Sequence, residues 1–319
     1  MKKRYIGAAL LAAAGVGAMV SMGITTRLVR YAMDRDVPEM MKKKRQQQED
    51  ISGISAVEEQ REAFSRAWLE RPSTQVEIVG RDGERLVGHW FPNENARRII
   101  VAMHGWRSSW SRDFGMIADF WYNSDCSLLF VEQRGQNNSG GAYITFGLME
   151  RYDCHSWVEW VNAYQNPHGL PIYLAGISMG ATTVLMSTGL DLPDNIHGVI
   201  ADCGFTSPND IWRYVVTKLL HLSYGLRGHI ANSICKKRIQ IGSMDYSTVK
   251  AMERARVPIL FVHGTDDKLV PISMTYENYK ACRAPKRLLV VPGAGHGMSY
   301  HADRAGYESA VCNFFADFD

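Results

Sequence analysis

The segment Leu174 to Thr182 reads LAGISMGAT and follows the apolar run Pro171-Ile172-Tyr173. It sets Ser178 between Gly176 and Gly180, at the point where a β-branched and leucine-rich run gives way to a stretch of helical length. A G-x-S-x-G spacing alone is weak evidence, because glycines bracket many ordinary turns. Its position carries more weight. A strand ending near Ala175 and a helix starting near Ser178 require a tight turn, and glycines on either side of the serine let strand and helix approach without Cβ clashes. The alternative reading is a glycine-lined turn with a capping serine, and the rest of the chain has to choose between them.

Outward from this elbow the pattern repeats. RRIIVAMHG, CSLLFVEQRG, PIYLAGISMG, HGVIADCG, VPILFVHG and KRLLVVPGAGHG each give a short apolar run ending in Gly or a polar turn. Helix-length segments such as Asp153 to Asn166 and Ser178 to Leu190 separate them. Upstream, TQVEIVGRDGERLVGHWFP reads as two alternating strands joined at Asp82-Gly83. Before that, Ser55 and Glu58 fit a capping box, with Val57, Phe64 and Trp68 near one helical face until Pro72. An antiparallel start followed by alternating β and α predicts a mostly parallel sheet of about eight strands with helices on both faces. In such sheets, sites gather beyond the carboxyl ends of the strands. His104-Gly105-Trp106, Glu132-Gln133-Arg134-Gly135, Ser178, Asp202, Asp266-Asp267 and His296 all fall there.

A serine hydroxyl becomes a useful nucleophile when a histidine takes its proton and a carboxylate holds that histidine's tautomer. In chain order after Ser178 come HGTDDKLVP and GAGHG, which offer Asp266, Asp267 and His296. His296 lies in a glycine-bracketed loop able to reach over the sheet edge, whereas His104 and His263 precede glycines at strand ends and are expected to satisfy backbone groups. The developing oxyanion needs two N–H donors. Met179, at a helix N-terminus, and Trp106, after the third strand, are placed to supply them. Trp106, Trp110 and Met179 are also candidates for an apolar pocket lining, with core packing the alternative for Trp110.

The set HGW, QRGQNNSGG, GISMG, HGTDDKLVP and GAGHG resembles the α/β-hydrolases, specifically the short-capped, often membrane-anchored bacterial hydrolases of esterase, lipase-like or serine-peptidase-like type. The resemblance covers about residues 75–318 and implies a catalytic triad of Ser178, Asp267 and His296, with no metal or organic cofactor. The family pattern H-G-x-x-D-x-x-V-P places the acid at Asp267 and leaves Asp266 as an exposed turn residue. The loop after strand four departs from the usual D-x-R-G-H-G-x-S, with Gln136 where that histidine stands. Phe205 to Asp245 is where such enzymes insert a cap; here it is short, implying an open pocket, and its apolar face is expected to pack on the body. The activity implied is hydrolysis of a carboxylic ester, a small-molecule ester or acyl compound, through a Ser178 acyl-enzyme. Alternatives are a peptidase or acyltransferase with the same triad, and a non-catalytic surface binding protein on a hydrolase fold. A nucleotide-binding Rossmann domain is disfavoured, since no G-x-G-x-x-G follows the first strand.

Composition narrows the partners. Residues 1–45 hold ten Lys/Arg against three Asp/Glu, so the net +3 of the 319-residue chain leaves the rest at −4. The globular part has no excess positive charge to read as a nucleic-acid footprint. The six cysteines form no C-x-x-C pair and are expected to be free thiols, although an even count permits disulfides. From Ile6 to Ile24 the only polar residue is Ser21, a run long enough to span a bilayer core. Residues 1–30 are therefore expected to be a membrane anchor, with a cleaved signal or an ordinary buried helix as alternatives. Basic residues flank both ends, and the favoured orientation has the catalytic domain outside the cytoplasm. Residues 31–54 are expected to be a linker before a hydrolase domain at 55–319.

Overall fold

The computed structural model describes residues 19–36 and 56–319. The capping residue Ser55 and most of the apolar N-terminal run lie outside the described residues; of that run, positions 19–24 are described. Eight strands form one sheet in the order β1-β2-β4-β3-β5-β6-β7-β8. β1 (Thr74–Val79) and β2 (Arg85–Phe91) make the hairpin at Asp82-Gly83, and β2 runs antiparallel to β4 (Cys126–Glu132). From β4 onward every pairing is parallel: β3 (Arg98–Met103), β5 (Ile172–Ile177), β6 (Ile196–Asp202), β7 (Ile259–Gly264) and β8 (Lys286–Val291). This is the α/β-hydrolase fold.

The central strands β3, β4 and β7 are buried along their whole length, as their unbroken apolar runs require when both sheet faces are covered. One face packs Trp157, Val158 and Val161 of a helix over Glu150–Tyr164 and Val184 and Leu185 of a helix over Met179–Ser187. The other packs Phe114, Ile117 and Trp121 of a helix over Trp110–Asn123, Val311, Phe314 and Phe315 of the C-terminal helix Arg304–Phe318, and Trp68 of the helix Ala56–Glu70.

The N-terminal part differs from the expectation. A helix described over residues 19–33, α1, lies on the body, and the boundary expected between an anchor ending at 30 and a linker starting at 31 falls inside it. Ser21, Thr25, Val29 and Met33, at helical spacing, are buried. Val29 and Met33 join a third cluster with Phe146, Phe205, Ile211 and Trp212. Past the helix the chain meets residues 142–144 in a single antiparallel bridge, Asp34 to Tyr143: Ile144 N–H donates to Met33 O (2.7 Å) and Arg35 N–H to Ala142 O (3.0 Å). Residues 31–36 are thus part of the folded body. All six cysteines are free, five of them buried.

Candidate active site

Ser178 stands between β5 and the helix Met179–Ser187 with φ 58° and ψ −116°, the left-handed half of conformational space that a non-glycine residue enters only when its surroundings force it. The forcing contacts are backbone. A Cβ on Gly176 would lie 2.3 Å from the Gly180 carbonyl carbon, and one on Gly180 would lie 1.7 Å from Met103 O. No side chain fits at either place, so the two glycines allow helix, β5 and β3 to meet. The Ser178 N–H donates to Asp202 O (2.8 Å), which fixes the elbow to the end of β6. The turn is a strained presentation of a hydroxyl and not a capping turn, since Ser178 makes no side-chain cap.

The three residues named from the sequence meet. Ser178 Oγ is 2.8 Å from His296 Nε2, and His296 Nδ1 is 2.7 Å from Asp267 Oδ2. Asp267 is buried, and its Oδ1 accepts the Leu269 and Val270 N–H groups, each at 2.9 Å. Burial by itself raises its pKa, but hydrogen bonds from His263 and His296 and the backbone outweigh that and hold it well below the usual carboxylate range. Asp266 is exposed, takes a hydrogen bond from Thr265 Oγ1 and points away from this chain of contacts. His263 does satisfy a backbone group, Val270 O (3.0 Å), and also binds Thr275 Oγ1. Its Nε2 lies 3.3 Å from Asp267 Oδ2, so the acid has two imidazole neighbours, which the sequence did not reveal. His104 is buried and held neutral by burial: Nδ1 faces Gly105 O (2.8 Å) and Nε2 accepts the Gln133 N–H (3.1 Å).

The loop carrying Trp106 is pinned on both sides. Gly105 N–H donates to Asp113 Oδ2 (2.6 Å), whose Oδ1 takes the Ser108 hydroxyl (2.6 Å), and Arg107 N–H donates to Gln136 Oε1. Between two tied amides, the Trp106 N–H has no acceptor among the described residues. Met179, first in its helix, has an N–H with no intrahelical partner. Gln136 therefore occupies the family's histidine position as a brace of this loop. The brace is not legible in the sequence: Gln136 lies 29 residues from Arg107, and Asp113, only five to eight residues from Ser108 and Gly105, is turned onto them by the fold.

Trp110 is a correction. It is 4% exposed and stacks on Phe130 (5.1 Å, 11° between planes) within the core. As the first residue of its helix, with Ser109 capping, it turns toward the sheet and does not line the cavity at Ser178. That cavity, about 570 Å³, is walled by Trp106, Phe146 and Phe205, by the cap residues Ile211, Trp212, Val215 and Val216, and by Thr25, Leu28, Val29 and Ala32 of α1. The cap is broken into a short helix Pro208–Tyr214, a π-helical turn Val215–Leu219 and a helix Gly225–Ile239. Its apolar face both packs on the body and lines the cavity, because α1 stands opposite it and closes a space that a short cap alone leaves open.

Cys203, Asp267 and His296 place one ligand atom each within 4.8 Å of one another. The carboxylate and imidazole are spent on each other, and burial pushes the Cys203 thiol well above its ordinary pKa, so this donor set fits a protonated thiol packed beside a triad better than a metal ion.

The sequence model of the prolyl oligopeptidase family matches residues 114–318, nearly two thirds of the chain. The chain belongs to that family. Relatives include YqkD of Bacillus subtilis, 30% identical over 188 residues, 59% of this chain and 61% of that protein's length. YfhR of Escherichia coli K12 is 25% identical over 251 residues, covering 75% and 79%. Among solved structures, an esterase of Pyrococcus furiosus superposes with a TM-score of 0.65 at 22% identity, covering 79% of this chain and 93% of that one. The acylaminoacyl peptidase of Pyrococcus horikoshii gives 0.57 at 15%, covering 79% and 42%. These likenesses carry the fold; with the family match and the Ser178 geometry they support a serine hydrolase as the coarse function of this prolyl oligopeptidase family member.

Proposed function

We propose that this protein hydrolyses a carboxylic ester through an acyl-enzyme on Ser178, with its catalytic domain attached to a membrane through the N-terminal segment. The observation that carries the chemistry is the unbroken chain Ser178 Oγ, His296 Nε2, His296 Nδ1, Asp267 Oδ2, ending in a cavity with apolar walls. His296 takes the hydroxyl proton as Ser178 Oγ bonds to the acyl carbon. The N–H groups of Trp106 and Met179 face the oxyanion. The ester C–O bond breaks, and the leaving alkoxide receives the proton from His296. Water then gives a proton to His296 and its OH to the acyl carbon, the acyl–Oγ bond breaks, and Ser178 recovers its proton. Asp267, kept ionised, holds His296 with Nε2 toward Ser178 and stabilises the imidazolium.

A second reading, peptidase action on an amide, is favoured by the family to which the chain belongs. Fluorophosphonate labelling of Ser178, followed by rates on p-nitrophenyl esters against aminoacyl p-nitroanilides, separates the two. Ester rates exceeding amide rates support the first reading. The reverse favours the peptidase, and absence of labelling in folded protein would remove both.

A further inference from the structure

Two elements distant along the chain, α1 and the cap, supply most of the walls of the Ser178 cavity. On α1, Thr25, Leu28, Val29 and Ala32 recur at helical spacing and form one stripe along the cavity. One turn earlier the same stripe continues to Met22, which is 54% exposed, beside Met19 and Val20 at 68% and 56%. On the cap side, Leu220 and on the loop after β7 Leu269 both line the cavity and are each 43% exposed, so they stand on its rim. Leu219 and Leu226, neighbours of lining residues, are exposed as well. Half of the twelve large exposed apolar side chains of the described residues thus sit on the two elements that frame one opening, with Leu269 beside them, a concentration that marks a contact surface. Exposed cations alternate with them: Arg27 and Arg30 on α1, Arg213 and Lys218 on the cap.

The chain preceding α1 is the apolar run that begins at Ile6. It enters the body through the helix that walls the cavity, at the end where Met19 and Val20 are exposed. An apolar rim with interspersed cations, fed by an apolar leader, matches an anionic lipid surface and not a folded protein partner. We infer that the opening of the cavity faces the bilayer and that the substrate is a long-chain acyl ester taken from it, the acyl chain lying between α1 and the cap. This rests on the ester-hydrolase reading and adds the substrate class and the direction of entry.

The structural tie between α1 and the oxyanion loop supports the same arrangement. Trp106 Nε1 donates to Ala32 O (2.8 Å), and the Arg107 guanidinium reaches Tyr31 O (2.9 Å) in the last turn of the helix and Asp34 O and Arg35 O (3.2 Å) just past it. Arg238 pairs with Asp34 Oδ1 (2.5 Å) and ties the cap to the same point. Wall, oxyanion loop and cap are one unit.

The test uses the full chain and two substrates, p-nitrophenyl butyrate in solution and p-nitrophenyl palmitate dissolved in phosphatidylglycerol vesicles, with decanoate in solution as a chain-length control. On burial of each added methylene, kcat/KM for decanoate is expected to exceed that for butyrate by at least about tenfold. Leu28→Trp, which fills the cavity from a half-buried position, should reduce that ratio about tenfold or more, while a melting transition reports its fold. Val20→Glu with Leu226→Glu should lower the ratio of vesicle-palmitate to soluble-butyrate rate by about tenfold, because each glutamate withdraws an apolar side chain from the lipid and sets a negative charge against an anionic surface. Butyrate turnover with no chain-length preference, or a preference that Leu28→Trp leaves unchanged in folded protein, overturns the acyl-chain assignment. A vesicle ratio unmoved by the double substitution overturns the bilayer-facing opening. Failure to cleave any ester, with Ser178 unlabelled by fluorophosphonate, instead sinks the hydrolase reading beneath both.

Discussion

Ser178 holds a backbone conformation that costs a non-glycine residue about 1–3 kcal/mol, and the cost is borne by the close packing of the helix Met179–Ser187, β5 and β3 around Gly176 and Gly180. Gly180→Ala places a methyl group against Met103 O and should destabilise by about 3 kcal/mol or more, read as a drop in melting temperature or loss of soluble protein. The two adjacent aspartates give a sharper comparison. Asp267→Asn leaves His296 free to adopt the other tautomer and should lower kcat by about 10³–10⁴-fold with the fold retained. Asp266→Asn, at an exposed turn, should stay within about tenfold, or about 1.4 kcal/mol of barrier. Rates on one p-nitrophenyl ester decide, and the reverse ranking in two folded variants would move the acid to Asp266. The register of HGTDDKLVP already favours Asp267 from sequence, and the geometry agrees because only Asp267 turns inward at the end of β7. The second imidazole beside it, His263, was not legible: a histidine before a strand-end glycine gives no sign of which side chain four residues later folds back onto it.

At the scale of elements the order of strands and helices was readable, and α1 was not. Sequence periodicity reports how a segment is amphipathic but not which partner covers it. For a mildly apolar Gly/Ala-rich run, a bilayer and a hydrolase body are both adequate partners. Here the described part of the run, together with the residues after it, is held by specific long-range bonds to residues 106, 107 and 142–144. Removing residues 1–36 strips Val29 and Met33 from the core, each about 1.5–3 kcal/mol of burial, and should lower the melting temperature by more than roughly 5 °C. Arg107→Ala keeps the helix but unties its last turn and the residues just after it. A loss of about 1–3 kcal/mol in stability, measured by denaturant unfolding, is expected, with a matching fall in kcat as Trp106 loosens. No change in either would show that α1 is not coupled to the oxyanion loop.

At the scale of the whole molecule, acidity changes the stability. Burial pushes Asp202, under the elbow and bonded to the Ser299 hydroxyl, up to about 6. A carboxyl whose folded pKa lies above its unfolded value contributes stability that is fully present below about pH 3.8 and is lost as pH rises through about 6, worth about 3 kcal/mol in all. Asp202→Asn removes that dependence, so its melting temperature relative to the parent protein should improve between pH 4 and pH 7. A difference constant across that range would contradict the buried-carboxyl account. Asp267 works in the opposite direction, its depressed pKa giving stability that is present above pH 4 and lost on strong acidification. No helix of the described residues is long and apolar enough to cross a membrane; the attachment proposed above rests on the apolar run beginning at Ile6 in the sequence. Replacing Leu11 and Val16 by Asp should move the protein from the membrane to the soluble fraction, at about 2.5–3.5 kcal/mol per charge near a bilayer centre. Full-length, uncleaved protein found soluble without those changes would refute the attachment.

The amino-acid sequence by itself determined the hairpin, the parallel sheet, the elbow with Ser178, and His296 beyond it, because each depends on local chemistry: period-two apolar runs, glycines where backbones touch, and chain order along a sheet edge; between Asp266 and Asp267 only the family resemblance chose. Tertiary structure alone decided the rest. It turned Trp110 into the core, made Gln136 and Asp113 braces of the Trp106 loop, set His263 beside Asp267, and placed α1 across from the cap to enclose the cavity. Some of these contacts join residues distant along the chain and others, His263 with Asp267 and Gly105 with Asp113, residues only four to eight apart; in every case no local pattern specifies the partner, since a single apolar face or a lone polar side chain is compatible with many neighbours until the fold selects one.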